Sequence, residues 1–272
     1  VVDLQDVGAR YYTFVWSAAL MLEAAAALGI PTVVLDRPNP LGGVVLEGAL
    51  QRPGYRSFVG LYDVPVRHGM TIAEITRMVH ARLGLDDAAL VTVPMQGWQR
   101  EMYFDATGLP WVYPSPNMPT LDTAVVYPGG CLIEGTLLSE GRGTTRPFEV
   151  FGAPWVDGEA LARALEGKLP GAALRPLHFL PTFQKHAKQL CGGVQLHVTD
   201  RHAFRSCDAY LRILQELLTR HPDAPRYRTE EYEYVTDRPA IELLMGGQEF
   251  CEAVDGGHSI EAWLGGEADG VA

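Results

Sequence analysis

Residues 127–149 read YPGGCLIEGTLLSEGRGTTRPFE, and they hold the densest set of side chains able to do chemistry. Glu134, Glu140 and Glu149 alternate with Arg142 and Arg146, and Tyr127 opens the run. Glycosidic cleavage needs a proton donor at the leaving oxygen and a base or nucleophile near the anomeric carbon, usually two carboxyl groups. A glycine-rich run lets backbone approach a sugar ring closely. Arg142 can grip a carboxylate on a ligand through a bidentate pair. Few side chains here look able to build a core, so the glycines read as flexible. An interdomain hinge whose charges pair with one another fits the same residues, and counting does not separate the two readings.

A second set sits where an α/β sheet would present it. VVDL (1–4) reads as a buried strand, YTFVWSAALMLEAAAALG (12–29) as a helix closed by Gly29, and PTVVLD (31–36) as the next strand. β-α-β within so few residues is the signature of a parallel sheet, whose ligands bind beyond the carboxyl ends of the strands. The loops there supply Asp3, Gln5, Asp6 and Arg10, then Asp36, Arg37 and Asn39. Such paired donors and acceptors suit a polyhydroxylated ligand. Asp and Asn capping the following turns would use the same residues. His68, in VRHG, is a lone loop histidine, either a ligand contact or a structural imidazole.

The remaining elements follow from patterning. MTIAEITRMVHARLG (70–84) is an amphipathic helix with a capping box at Thr71 and Glu74, and ALVTVP (89–94) is a strand. GLPWVYPSPNMPT (108–120) carries four prolines and is irregular. Beyond Pro154 the expected order is helix 157–168, strands 174–183 and 193–200, helix 204–220 and a short glycine-stopped helix in 238–247. The expected architecture is α/β: a Rossmann-like parallel-sheet domain over 1–148, followed by a smaller α+β domain over 149–272. Because VVDL opens in mid-sheet, the first domain is expected to be N-terminally incomplete. A signal peptide upstream would place the protein in the cell envelope or outside the cell rather than in the cytoplasm.

The totals exclude several classes. The chain has 272 residues, 47% hydrophobic and 20% charged, which fits a globular protein. A net charge of −11 without a Lys/Arg cluster argues against nucleic acid and anionic membrane surfaces. No 18-residue apolar run is present to span a membrane. Four scattered cysteines without a CxxC pair read as buried thiols, not as a metal site or a disulfide framework. GxGxxG, Walker A, GxSxG and HExxH are all absent, which weakens a dinucleotide-dependent enzyme.

The motifs DLQDVGARYYTF, VVLDRPNPLGG, VRHGMTIAE, PSPNMP, VYPGGCLIEGTLLSEGRGTTRPFE, GAPW and GVQLHVTDR, in this order, resemble the exo-β-N-acetylmuramidase (NamZ-type) family, formerly a domain of unknown function. The resemblance covers residues 1 to about 246 and leaves 247–272 outside it. It implies a Rossmann-like domain, a smaller C-terminal domain and a shallow pocket at their interface. It also implies removal of N-acetylmuramic acid from the non-reducing end of bacterial peptidoglycan fragments, without metal or cofactor. The family's suspected general acid is a glutamate in a PEHG-like loop that would precede residue 1, and no PEHG occurs here. A tyrosine is its other proposed catalytic group, best matched by Tyr127, with Glu134 as the partner its phenol would need. PSPNMP adds Ser115 and Asn117 to the sugar-binding set, alongside His68 and Glu140. Arg142 is assigned to the lactyl carboxylate that separates muramic acid from N-acetylglucosamine. A non-catalytic muropeptide-binding protein is the alternative, distinguished by binding without turnover.

Overall fold

The computed structural model describes residues 1–260. Helix α1 (Phe14–Ala27) buries Val15, Trp16, Ala18, Ala19 and Leu22, one face at helical spacing. Strand β1 (Thr32–Leu35) follows, and helix α2 (Ile72–Leu83) leads back to strand β2 (Leu90–Val93). β1 and β2 pair in parallel, Thr32 opposite Leu90. Val2 bridges Val34 on the other side of β1, so the expected strand 1–4 contributes one parallel bridge. α2 carries the expected capping box: Thr71 Oγ1 accepts from Glu74 N–H, and Glu74 returns a carboxylate to Thr71 N–H. Val2, Trp16, Val34, Ile72, Ile75 and Val79 form the core of this parallel unit.

Helix α3 (Leu121–Gly130) runs into a 3₁₀ turn at Cys131–Gly135. Strand β3 (Val150–Ala153), helix α4 (Gly158–Ala164), strand β4 (Ala172–Phe179) and strand β5 (Cys191–Val198) come next. The three strands form an antiparallel sheet in the order β3-β5-β4. Helix α5 (Ser206–Arg220) packs on α3, and short helices α6 (Ala240–Met245) and α7 (Glu249–Asp255) close the described chain. Among the described residues the result is a mixed α/β protein with one parallel and one antiparallel sheet. One hydrophobic cluster joins the parts, drawing Val7 and Tyr11 together with Tyr127, Phe151, Tyr210, Ile241 and Phe250. The last part of the expected second domain, 261–272, lies outside the described residues.

The segment 127–149 corrects the sequence reading. Tyr127, Leu132, Ile133, Leu138 and Phe148 are all core residues. Its glycines serve contact, not flexibility: a Cβ on Gly129 would lie 2.1 Å from the Ser206 carbonyl oxygen, and one on Gly135 would lie 2.5 Å from Ile241 Cα. Backbone of α5 and α6 occupies the space where side chains would stand. The four cysteines are buried free thiols.

Candidate active site

Two adjoining cavities, of about 320 Å³ and 650 Å³, share Glu134, Arg142, Tyr232 and Glu233 in their walls. The smaller is also walled by Tyr11–Phe14 at the start of α1, by Pro114–Pro116 and by Tyr127. The larger is walled by Lys185 from the β4–β5 connection and by Arg228 and Glu230 from the segment before α6.

Glu134 stands on the 3₁₀ turn after α3, and the surrounding chain fixes that turn. The Lys185 ammonium donates to the carbonyls of Ile133 at 3.0 Å and Thr136 at 2.9 Å. Backbone bonds from Leu137 N to Arg226 O, 3.0 Å, and from Arg228 N to Gly135 O, 2.9 Å, lay residues 226–228 alongside. The Glu134 carboxylate meets Arg142 Nη2 at 2.5 Å and accepts from the Tyr232 hydroxyl at 3.2 Å. Arg142 Nε lies 3.3 Å from Glu140, whose other oxygen lies 2.9 Å from Lys185 Nζ. Charges thus alternate along Glu134, Arg142, Glu140 and Lys185, as partly buried ionised groups require. Burial works against the Arg142 charge, but Glu134 and Glu140 outweigh it and hold the guanidinium above its ordinary value. The paired charges expected of a hinge are present, yet they face a cavity.

Tyr127 lies in the wall of the smaller cavity, but its expected partnership with Glu134 is not made. Its hydroxyl oxygen accepts from Cys131 Sγ at 3.5 Å, while the Glu134 bonds go to Arg142 and Tyr232. Burial pushes the phenol well above its ordinary value, and Cys131 and Glu134 push the same way. Tyr127 therefore stays a neutral phenol. Tyr232 is raised likewise, by burial and then by Glu134. Tyr12 is raised by burial and then by Asp6, and its hydroxyl has no hydrogen-bond partner among the described residues.

The other expected site residues divide into two groups. Ser115 lines the smaller cavity, and its hydroxyl accepts from Asn117 N–H at 3.3 Å. Asp3, Asp36 and Arg37 line a different cavity of about 550 Å³ at the carboxyl ends of β1 and β2, with Trp98 and Leu109. There Arg37 pairs with Asp3 at 2.6 Å. Asp36 accepts from Thr71 Oγ1 at 2.9 Å and from Ala73 N–H at 3.1 Å, so it caps α2; burial raises its pKa. Gln5, Arg10, Asn39 and His68 line neither cavity and bind the loops to one another. Gln5 donates to the carbonyls of Asp6 and Pro38. Arg10, wholly buried, donates to the carbonyls of Ala49, Val64 and Leu244. Asn39 donates to Met70 O and accepts from Leu41 N–H. His68 Nδ1 accepts from Met70 N–H at 3.1 Å, which places its proton on Nε2, 3.3 Å from Asp6. Of the polar side chains expected to meet a ligand at the strand ends, Gln5, Arg10 and Asn39 donate to backbone carbonyls instead.

Tyr12, Lys185, Tyr232 and Glu233 were missed. They lie far in sequence from residues 127–149, so no spacing links them. The one signal was EYEYV (231–235), an acid and aromatic alternation that fits no core strand.

A mixed α/β chain whose cleft sets carboxylates against an arginine and tyrosine hydroxyls has the makings of a polar-ligand enzyme site. The comparisons make this specific. Residues 1–122 match the family model described as exo-beta-N-acetylmuramidase NamZ, N-terminal, and residues 125–270 match its C-terminal counterpart. The chain belongs to this family. The C-terminal match extends to residue 270, so the resemblance does not stop near 246 as expected. The chain is 44% identical over 260 residues to the peptidoglycan beta-N-acetylmuramidase NamZ of Bacillus subtilis (strain 168), covering 95% of this chain and 61% of that one. Two DUF1343 family proteins from Bacteroides fragilis, known from crystal structures, are similar in fold. One has a TM-score of 0.81 at 32% identity, over 93% of this chain and 66% of its own. The other has a TM-score of 0.71 at 27% identity, over 96% and 68%. This chain therefore spans about three-fifths of the length of the Bacillus relative, from the 61% covered. Among the described residues no helix is long and apolar enough to cross a membrane, and no group of three His, Cys, Asp or Glu could hold a metal ion.

Proposed function

We propose that the chain acts in exo-type glycoside hydrolysis, releasing N-acetylmuramic acid from the non-reducing end of peptidoglycan fragments. The observation that carries this reading is Glu134, held by Arg142 and Tyr232 where two cavities join, in a chain of this family. The smaller cavity falls within the roughly 300–1,000 Å³ usual for small-ligand sites. The fold reading that goes with it is a Rossmann-like part over 1–148 and a smaller α+β part over 149–272. The parallel β1–β2 pair with its α2 crossover supports the first, and the antiparallel sheet supports the second.

The chemistry follows from the residues. As the glycosidic bond breaks, positive charge grows at the anomeric carbon. Glu134 is the carboxylate placed to face that charge, and two donors fix its orientation before substrate arrives. Tyr127 serves as a neutral wall for the sugar ring. Ser115, Asn117 and Glu140 remain in the proposed binding set, and so does Arg142, the guanidinium that would meet the lactyl carboxylate. That group must share Arg142 with Glu134 and Glu140, so its binding draws the arginine partly off Glu134. The separate cavity of about 550 Å³ with Asp3, Asp36 and Arg37, and the loop residues Gln5, Arg10, Asn39 and His68, support the reading only through the scaffold.

The test is release of free N-acetylmuramic acid from a MurNAc–GlcNAc disaccharide, beside the full-length Bacillus relative as a positive control. Release supports the reading. Binding of the disaccharide without release, with the control active, would replace it by a binding role.

A further inference from the structure

In the connection between β4 and β5, Gln184, His186 and Lys188 have φ of 66°, 55° and 63°. A side chain at positive φ carries a steric cost, because its Cβ crowds the carbonyl. Three such residues at alternate positions need a fit that offsets the strain. That fit is made on the two segments that carry the candidate site. Thr182 donates to Gly143 O, next to Arg142, from its N–H at 3.0 Å and from Oγ1 at 2.9 Å. A Cβ on Gly143 would lie 2.7 Å from the Phe183 nitrogen, so the two chains touch there. His186 Nε2 lies 2.8 Å from Leu137 O, and its ring stands edge-on to Trp155 at 5.1 Å. Between these anchors Lys185 reaches inward, its side chain 19% exposed. An ammonium has three protons. Those of Lys185 meet the carbonyls of Ile133 at 3.0 Å, Glu134 at 3.4 Å and Thr136 at 2.9 Å, which leaves none for a ligand.

We propose that Lys185 is a positioning and specificity-determining residue of the cleft: it holds the turn that carries Glu134, and by balancing Glu140 it leaves Arg142 able to accept an anionic sugar. The assignment rests on the glycosidase reading above, with Arg142 turned to the lactyl carboxylate.

Two consequences of the contacts carry the proposal. The first is geometric. Ile133, Glu134 and Thr136 span the turn, and one ammonium draws their carbonyls to a single point, so the backbone under Glu134 is fixed from the β4–β5 connection. The second is electrostatic. Arg142 stands between Glu134 at 2.5 Å and Glu140 at 3.3 Å, and Lys185 Nζ lies 2.9 Å from the other Glu140 oxygen. Glu140 is 3% exposed, so without Lys185 its charge must be met by Arg142, which is then drawn off Glu134 and off any ligand. The larger cavity already sets Glu134, Glu140, Glu230, Glu231 and Glu233 against Arg142, Lys185 and Arg228. A sugar bearing a carboxylate enters against that excess of negative charge, and removing Lys185 leaves two cations to face five carboxylates. A neutral sugar would feel the loosened turn but not the lost charge.

The experiment measures kcat and KM on 4-nitrophenyl MurNAc and on its lactyl amide, a neutral glycoside of nearly the same shape. Lys185→Met should lower kcat by about 100-fold on both, the effect of a reacting group misplaced by about 1 Å. Its KM should rise by about tenfold on the carboxylate alone. Lys185→Arg keeps the charge, but a planar fork does not match three converging carbonyls, so KM should stay near wild type while kcat stays low. Lys185→Cys alkylated with 2-bromoethylamine rebuilds the ammonium and should recover both, which also shows that the variant is folded. Wild type, whose four cysteines are buried, is the treated control. A Lys185→Met kcat within about threefold of wild type would overturn the positioning role. An equal rise in KM on both glycosides would overturn the specificity role. Loss that alkylation does not restore would make Lys185 a part of the fold only and overturn both. A wild-type chain that binds both glycosides without cleaving them sinks the glycosidase reading instead, and the ratio of acid to amide affinity across the same variants then decides the charge role.

Discussion

Arg142 is the most informative residue to perturb, because it joins two glutamates and faces both cavities. Arg142→Met removes the charge and keeps an aliphatic stem over Phe148, whose ring the guanidinium covers at 5.2 Å. Stripping one partner from a buried ion pair costs about 3–5 kcal/mol. Glu140 would keep Lys185 at 2.9 Å, so the cost falls mainly on Glu134, left with the Tyr232 hydroxyl. The Arg142 and Glu134 side chains are 23% and 12% exposed, which favours the low end, about 3 kcal/mol. At roughly 2–4 °C per kcal/mol for a chain of this size, the melting temperature should fall by about 6–12 °C. Urea unfolding is the assay, with the midpoint lowered at constant slope. A loss under about 1 kcal/mol would mean that the pair is worth no more than a surface one and does not hold Glu134. On the same protein, hydrolysis of MurNAc glycosides should fall more than that of the GlcNAc analogues. Equal loss on both would refute the lactyl assignment while leaving the stability argument intact.

Other changes test the scaffold. Glu47 pairs with Arg67 at 2.8 Å, both side chains nearly inaccessible, and its second oxygen accepts from Cys207 N–H in the first turn of α5. Glu47→Gln should cost about 3–5 kcal/mol by denaturant unfolding, and Glu47→Leu with Arg67→Met should recover part of it. Gly129→Ala would favour a helix by propensity, but its Cβ would meet the Ser206 carbonyl at 2.1 Å. A net loss of about 1–3 kcal/mol is expected, and a gain in thermal melts would show that α5 can yield. Burial raises the Glu149 carboxyl against bonds from Thr123 and Arg146. Its folded pKa lies above the unfolded one, so this contribution to stability is full below the unfolded value, about 4.3, and is lost as pH rises through the folded value. Glu149→Gln should remove that loss, so melts from about pH 4 to 7 should show the variant gaining on wild type; parallel curves would refute it.

Local signals carried the fold well. The Thr71 capping box, the Ala-rich face of α1 and the β-branched run of β1 are decided within a few residues, and each appears where patterning puts it. The shortfall lies in contacts between distant segments. YPGG reads as flexible chain because nothing nearby says that α5 lies against Gly129. Arg10 reads as a ligand donor because its three carbonyl partners, the farthest on Leu244, cannot be seen from its neighbours. VVDL promises a strand, but only Val2 finds a bridge.

The same distinction explains the cleft. Glu134 and Arg142 share one segment, and their charge pattern was legible as chemistry or as a hinge. What builds a cleft around that pattern is chain nearly a hundred residues later, since Tyr232 donates to Glu134 and Glu233 lines both cavities. Residues 226–228 bring it there by pairing with the turn that carries Glu134. A hinge would need its charges satisfied and nothing more. Here a hairpin with positive φ at Glu233 and Tyr234 instead brings a further glutamate into the walls of both cavities, an arrangement that a linker would not need.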